Sequence, residues 1–353
     1  MAEEKFAFES EEVSIAFSLT SGLGDCVIIK KVLEAVIELV PDCVVDIFYV
    51  SEAHKIFAET FYSDLKNLNC IWSLDEFYRE NFQRYDLALW VAGSHSIILD
   101  SVKVQSLKTK APNLLLSLIK IDTYNKKYVY DLEPGGTGVA LRNMLAAQIL
   151  NKNCYEFLSC DGALPIRDDK VNIPLAPEFK RDFESLKLDK YITIYTDINE
   201  SEKARPKVKT YPIKYFREYI SRMKKRMPDI EIVQCGGNDI KVENADRHFL
   251  GVDLELTKYI LANSLLHVGC EGGLIHLATA LDIKCLVLFG SSGVDYFGYK
   301  QNINLVSEIC RPCAHLLPDA AICLRGAKKP PCMLSHTPQL VCEITCNYLK
   351  NKA

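Results

Sequence analysis

Runs of Val, Ile, Phe and Tyr alternate along this chain with stretches whose apolar residues recur every three or four positions. That alternation is the signature of βαβ units and parallel sheets. In the first half, "VSIAFSL" reads as a strand and Asp25 to Leu39 as a helix. "VVDIFYV" and "YDLALWVAG" are further strands, and "KKYVYDLEPGGTGVALRNMLAAQIL" reads as strand, glycine turn and helix. The pattern lapses at "DGALPIRDDKVNIPLAPEF" and then restarts with "YITIYT", "PIKYFREYISRMKKR", "IEIVQCGG" and "DLELTKYILANS". "SLLHVG", "GLIHLATAL" and "KCLVLFG" continue it as strand, helix and strand, and "TPQLVCEITCNYLKNK" closes it as a helix with Thr337 as N-cap.

The expected division is a domain over 1–165, a linker over 166–178 and a second domain over 179–336 that includes a cysteine-rich loop at 307–335. A final helix over 337–353 is left free to pack back on the first domain. Two Rossmann-like parallel-sheet domains facing across a cleft is the economical α/β architecture. Its ligands belong at the carboxyl ends of the strands.

Composition narrows the function. With 353 residues, 48% apolar and 25% charged, the chain is long enough for two globular cores. A net charge of -4 argues against a protein that coats nucleic acid. The basic run from Lys203 to Arg226 divides into a first half expected to meet a phosphate and a second half expected to be a solvated helix face. No apolar run approaches the ~18 residues needed to cross a bilayer. The acidic start lacks a signal-peptide pattern. Fourteen cysteines then imply a reducing, cytoplasmic setting.

Two glycine turns carry the candidate chemistry. "GLGDCV" begins like a dinucleotide fingerprint, but Val27 stands where its third glycine belongs. The acidic residue expected about 20 positions on would be Asp46, at the wrong end of its strand. What remains is Asp25 in the first turn of a helix, read either as a cap or as a general base approachable by a bulky acceptor. In "HVGCEGGLIHLATALDIKCLVLFG", Gly272 and Gly273 lead a helix whose unpaired N–H groups suit a diphosphate. His276 can donate to a phosphate or leaving oxygen, and Glu271 can accept from ribose or sugar hydroxyls. Three weaker signals accompany these. Gly135 and Gly136 in "EPGGTG" form either an acceptor or anion site or a plain turn, and His95 follows a strand where an acceptor loop belongs. Ser291 and Ser292, after "LVLFG", end a strand at the donor-side rim, where they either reach phosphate or ribose or merely start a turn.

"EGGLIHLATALDIKCLVLFG", "TSGLGDCV" and "KTYP" together resemble the family 9 glycosyltransferases, the heptosyltransferases of lipopolysaccharide cores and their relatives acting on autotransporter proteins. The resemblance runs nearly the length of the chain. It implies a GT-B fold and inverting transfer from a nucleotide sugar, usually ADP-heptose, without a catalytic metal. Acceptors would be hydroxyls of a cell-surface glycan or an exported protein, at the inner face of the bacterial inner membrane. The family's catalytic aspartate falls on Asp25, its phosphate-binding lysine on Lys209 and a polar strand-end position on Thr196. Its D-T-G-x-x-H becomes Glu271, Gly272, Gly273 and His276, with a longer acid and no threonine hydroxyl. Where the family often shows aspartate and glutamine, this chain has Trp90 and Ala92. No D-x-D triplet occurs, which fits transfer without Mg²⁺.

Cys310, Cys313, Cys323 and Cys332 form a C-x2-C-x9-C-x8-C array in a proline-rich loop. The density suits a structural four-thiolate site for zinc or iron. Free thiols and a disulfide are the competing readings. The resemblance supports a metal without choosing it, since related autotransporter heptosyltransferases hold iron in a cysteine finger. Homo-oligomers are compatible with the sequence. The alternative to a transferase is a nucleotide-sugar-binding protein of the same fold with another donor or without activity.

Overall fold

The computed structural model describes residues 11–74, 79–132, 137–198, 207–317 and 321–352. The chain divides into two compact units: Met1–Asn143 with Lys152–Pro174, and Met144–Asn151 with Leu175–Ala353.

In the first unit, β1 (Val13–Leu19), α1 (Leu23–Leu39), β2 (Cys43–Tyr49), α2 (Glu52–Phe61) and β3 (Leu68–Ser73) alternate as the apolar pattern requires. β4 (Leu87–Ala92) and β5 (Ser96–Val102) complete a sheet of order β3-β2-β1-β4-β5. Every residue of β1 is buried, Ser14 and Ser18 included, as in a strand covered on both faces. β5 departs from the expected parallel sheet by pairing antiparallel with β4. Only Gly93, Ser94 and His95 separate the two strands, too few for a parallel crossover. Gly93 takes φ +55° at this corner. Asp46 is structural: it is fully buried and accepts from Tyr85 Oη at 2.6 Å and Asn69 Nδ2 at 2.9 Å.

The helices that follow are α3 (Val104–Lys110), α4 (Pro112–Tyr128), α5 (Thr137–Leu150) and α6 (Cys154–Leu158). "KKYVYDL" is therefore no strand. It is the end of α4 followed by a short 3-10 turn over Tyr130–Leu132. The glycines of "EPGGTG" that were singled out, Gly135 and Gly136, lie outside the described residues.

Part of the presumed linker is bound to α1. The fully buried Lys30 ammonium donates to Asp64 Oδ1 and to Asn172 O, each at 2.6 Å. Lys31 donates to Asp168 at 2.7 Å, and Arg167 pairs with Glu38.

The second unit holds α7 (Lys180–Ser185), β6 (Tyr191–Tyr195), α8 (Ile213–Arg226), β7 (Glu231–Gly236), β8 (Arg247–Leu250), α9 (Leu254–Ala262) and β9 (His267–Cys270). It continues with α10 (Gly273–Ala280), β10 (Cys285–Phe289), α11 (Val294–Phe297), β11 (Ile303–Val306), α12 (Pro331–Ser335) and α13 (Pro338–Lys352). All strand pairs are parallel in the order β11-β10-β9-β6-β7-β8. The order reverses between β6 and β9, the kind of switch point where open α/β sheets bind ligands. Thr337 caps α13 by accepting from Leu340 N at 3.2 Å. That helix packs on α8, with Val341, Cys342, Cys346 and Leu349 in one core with Tyr219 and Met223. Its partner is thus α8 of the second unit, where the sequence left a return to the first domain open. Among the described residues no helix is long and apolar enough to cross a membrane.

Candidate functional site

The candidate residues gather at the carboxyl ends of the central strands of each sheet. In the first unit, β1 runs into α1 through Thr20, Ser21 and Gly22. Asp25 is half-buried in the helix's first turn. Gly22 has φ -63°, so its backbone does not require glycine. A Cβ there would stand 3.9 Å from Asp25 Oδ2, so what the missing side chain leaves is room beside the carboxylate. The turn is fastened to the end of β4, where Gly93 N donates to Ser21 Oγ at 3.1 Å. Burial, with the Asp25 charge second, pushes the neighbouring Cys26 and Cys154 thiols far up, so neither is a nucleophile. His95 is half-buried just past β4, and its carbonyl accepts from Asn143 Nδ2 at 2.9 Å.

In the second unit the structure brings Lys209, Glu271 and His276 into one cluster across the β6–β9 switch. Glu271 is 7% exposed and immediately precedes Gly272, the cap of α10. Its Oε2 accepts from Ser292 Oγ at 2.7 Å and from Lys209 Nζ at 3.3 Å. Its Oε1 stands 3.4 Å from His276 Nε2, while His276 Nδ1 bonds Tyr299 Oη at 2.8 Å. Burial pushes the Glu271 carboxyl up. The Lys209 charge and the hydrogen bonds from His276 and Ser292 outweigh it and hold the group well below the usual carboxylate range. Burial likewise pulls the Lys209 ammonium down, but Glu271 and then Asp197 reverse that and raise it. The pairing favours the ionised form of Glu271 as a counter-charge to Lys209.

Thr196 follows β6 and is wholly buried, its hydroxyl donating to Asp239 Oδ1 at 3.3 Å. The same oxygen accepts from Ile198 N at 3.1 Å, so Asp239 fixes the turn after β6. Burial, with the Asp197 charge second, pushes Asp239 up to about 6. Asp197 sits in the left-handed region at φ 52°, accepts from Tyr195 Oη at 2.9 Å and lies 3.8 Å from Lys209 Nζ. Gly272 has φ 169°, ordinary extended backbone, and a Cβ there would meet Asp197 Oδ2 at 3.5 Å. Its value is the space it leaves beside that carboxylate. Gly273 opens α10, whose first turn presents amide hydrogens. Sequence reasoning passed over Asp197 and Asp239. The doubled glycine in "IEIVQCGG" was the available signal for a strand end at the same edge.

Cys310, Cys313, Cys323 and Cys332 all line one cavity of about 490 Å³, together with Val208, Ser291 and Arg325. Burial pushes the Cys332 thiol up to about 11, helped by the other three cysteines. By element type, four cysteine sulfurs are a soft donor set. However, among the described residues no group of three or more His, Cys, Asp or Glu is arranged to hold a metal.

Residues 177–318 match the model of glycosyltransferase family 9 (heptosyltransferase). No curated protein matches the chain by sequence. Among solved structures, E. coli ADP-heptose lipopolysaccharide heptosyltransferase II is 14% identical with a TM-score of 0.57, over 97% of this chain and 100% of that one. The iron-containing dodecameric glycosyltransferase TibC of enterotoxigenic E. coli H10407 is 14% identical with a TM-score of 0.60, over 97% and 77%. E. coli heptosyltransferase WaaC with ADP-2-deoxy-2-fluoro heptose is 13% identical with a TM-score of 0.51, over 97% and 100%. At these identities the likeness establishes a shared fold. Lys209, Glu271, His276 and Ser292 all fall inside the matched segment, whereas Asp25 lies outside it. The chain therefore shares the GT-B fold of these structures, and its residues 177–318 are similar to the glycosyltransferase family 9 domain.

Proposed function

We propose that this protein is an inverting glycosyltransferase that moves heptose from ADP-heptose to a hydroxyl on a cell-surface glycan or protein, without a catalytic metal. The observation that carries the reading is the Lys209–Glu271–His276–Ser292 cluster at the β6–β9 switch, inside the segment that matches the family. In this mechanism Asp25 takes the proton of the acceptor hydroxyl as its oxygen attacks the anomeric carbon. The bond from that carbon to the diphosphate breaks on the opposite face, and ADP departs with the bonding electrons. Lys209 and the first amides of α10 meet the charge that develops on the diphosphate, a contribution worth about 3 kcal/mol per donor. Glu271, already ionised, accepts from sugar or ribose hydroxyls. Thr196 supports the turn from beneath through Asp239. His95, Gly135 and Gly136 belong to the acceptor side.

Calorimetry with ADP, UDP and GDP tests the donor: ADP should bind at least about tenfold more tightly than the others, a discrimination of about 1.4 kcal/mol. Tighter binding of UDP or GDP would overturn the assignment of adenine. Binding of none would remove the donor site.

Cys310, Cys313, Cys323 and Cys332 would hold zinc or iron as a structural site, because four thiolates are soft donors and a closed site leaves no reactive position. Metal analysis of purified protein should find about one equivalent; less than about a tenth refutes the site. The setting proposed is the cytoplasm, at the inner face of the inner membrane where such acceptors are made. Self-association is proposed with it, as the TibC structure is dodecameric.

A further inference from the structure

We propose that Ser292 is a positioning residue for the donor site, holding the Glu271 carboxylate in place while Lys209 is given over to the donor diphosphate. The inference rests on the donor-site reading of this cluster.

One oxygen of Glu271 is shared. Oε2 accepts from Ser292 Oγ at 2.7 Å and from Lys209 Nζ at 3.3 Å, so the neutral donor is the closer of the two. A diphosphate arriving at Lys209 competes for that ammonium. Glu271, 7% exposed, would then be a buried anion that has lost its cation, a costly state. Two donors remain to it, Ser292 and His276. Asp197 and Asp239 nearby bring only further negative charge. The serine thus lowers the cost of releasing Lys209 to a ligand.

The placement of the hydroxyl is enforced. Ser292 is 4% exposed and follows β10 in a turn bound on both sides. The preceding carbonyl, Ser291 O, accepts from Cys313 N and Ala314 N, both at 2.9 Å. The following residue, Gly293, opens α11, with Phe297 N donating to its carbonyl at 3.0 Å. No other hydroxyl takes this role at the turn itself, because Gly272 has no side chain and a Cβ there would face Asp197.

The test measures ADP affinity of the full chain by calorimetry and the His276 ring signal of ligand-free protein by nuclear magnetic resonance. Ser292→Ala should weaken ADP about tenfold, the size of one hydrogen bond to a charged group. Ser292→Thr should restore it to within about threefold. In a Glu271→Gln background, Ser292→Ala should change affinity by less than about twofold, since no buried charge is left to hold. Equal losses in both backgrounds would mean that Ser292 merely shapes the turn, and the proposal would be wrong. The His276 signal should move in Ser292→Ala and return in Ser292→Thr; a signal that stays put overturns the proposal without reference to any ligand. If wild-type protein does not bind ADP, the donor-site reading falls, and the His276 signal alone decides Ser292.

Discussion

The two sheets present the same local device, a strand running through glycines into a helix with a carboxylate beside the turn, and charge it differently. At the end of β1, Asp25 lies within the helix, half-buried, next to a glycine that leaves room around it. At the end of β9, Glu271 lies just before the helix, buried, and bonded to Lys209 and Ser292 with His276 beside it. The lesson is that the position of a carboxylate in a glycine turn does not decide its chemistry. Its neighbours do. Room beside a half-buried carboxylate suits the proton-taking role proposed for Asp25, whereas the donors around Glu271 suit the anion proposed to orient the donor.

The largest test of that contrast is Asp25→Asn, which should fold normally and transfer sugar at less than about a hundredth of the native rate. Near-native turnover in a transfer assay would erase the distinction between the two turns. Next is Lys209→Ala. It should weaken ADP by about tenfold to a hundredfold in calorimetry, because a charge-assisted contact is lost while Glu271 stays buried. Unchanged affinity would show that the diphosphate binds elsewhere. The smallest effect concerns Asp239. Burial, with the Asp197 charge second, pushes it up to about 6 in the folded chain, against 3.8 as the ordinary value. Between those values the folded state holds a proton that the unfolded state has released. This group therefore favours folding at low pH, and that contribution is lost as pH rises through 6. Asp239→Asn should be more stable than wild type by about 1–2 kcal/mol at pH 7, with the gap closing towards pH 4 in denaturant titrations. A gap independent of pH would show that the carboxylate's charge is not what the buried site resists.

Much of this was written locally in the chain. The β1–α1 turn, the glycine-led α10 and the Thr337 cap each depend on residues within one or two turns of each other, so periodicity and capping chemistry expose them. The β4–β5 hairpin was missed because its corner is only three residues and its second strand, "SIILDSV", mixes polar and apolar positions. "KKYVYDL" misled for the opposite reason: Tyr128, Val129 and Tyr130 favour strands by type, yet α4 carries its helical hydrogen bonds through Val129 N to Asn125 O. The candidate site was legible in Lys209, Glu271 and His276 and in Ser292 as a donor-side strand end, but not in which of them bond to one another. Ser292 reaches Glu271 across 21 positions and Asp239 reaches Thr196 across 43, and pairs of that separation leave no local pattern.

Among the described residues, Glu271 and Asp197 both stand beside Lys209, and Asp239 lies against Asp197. If the donor diphosphate binds at Lys209 as proposed, losing its sugar would add negative charge close to these carboxylates. On that reading the spent carrier would be held less tightly than the intact donor, which favours its release.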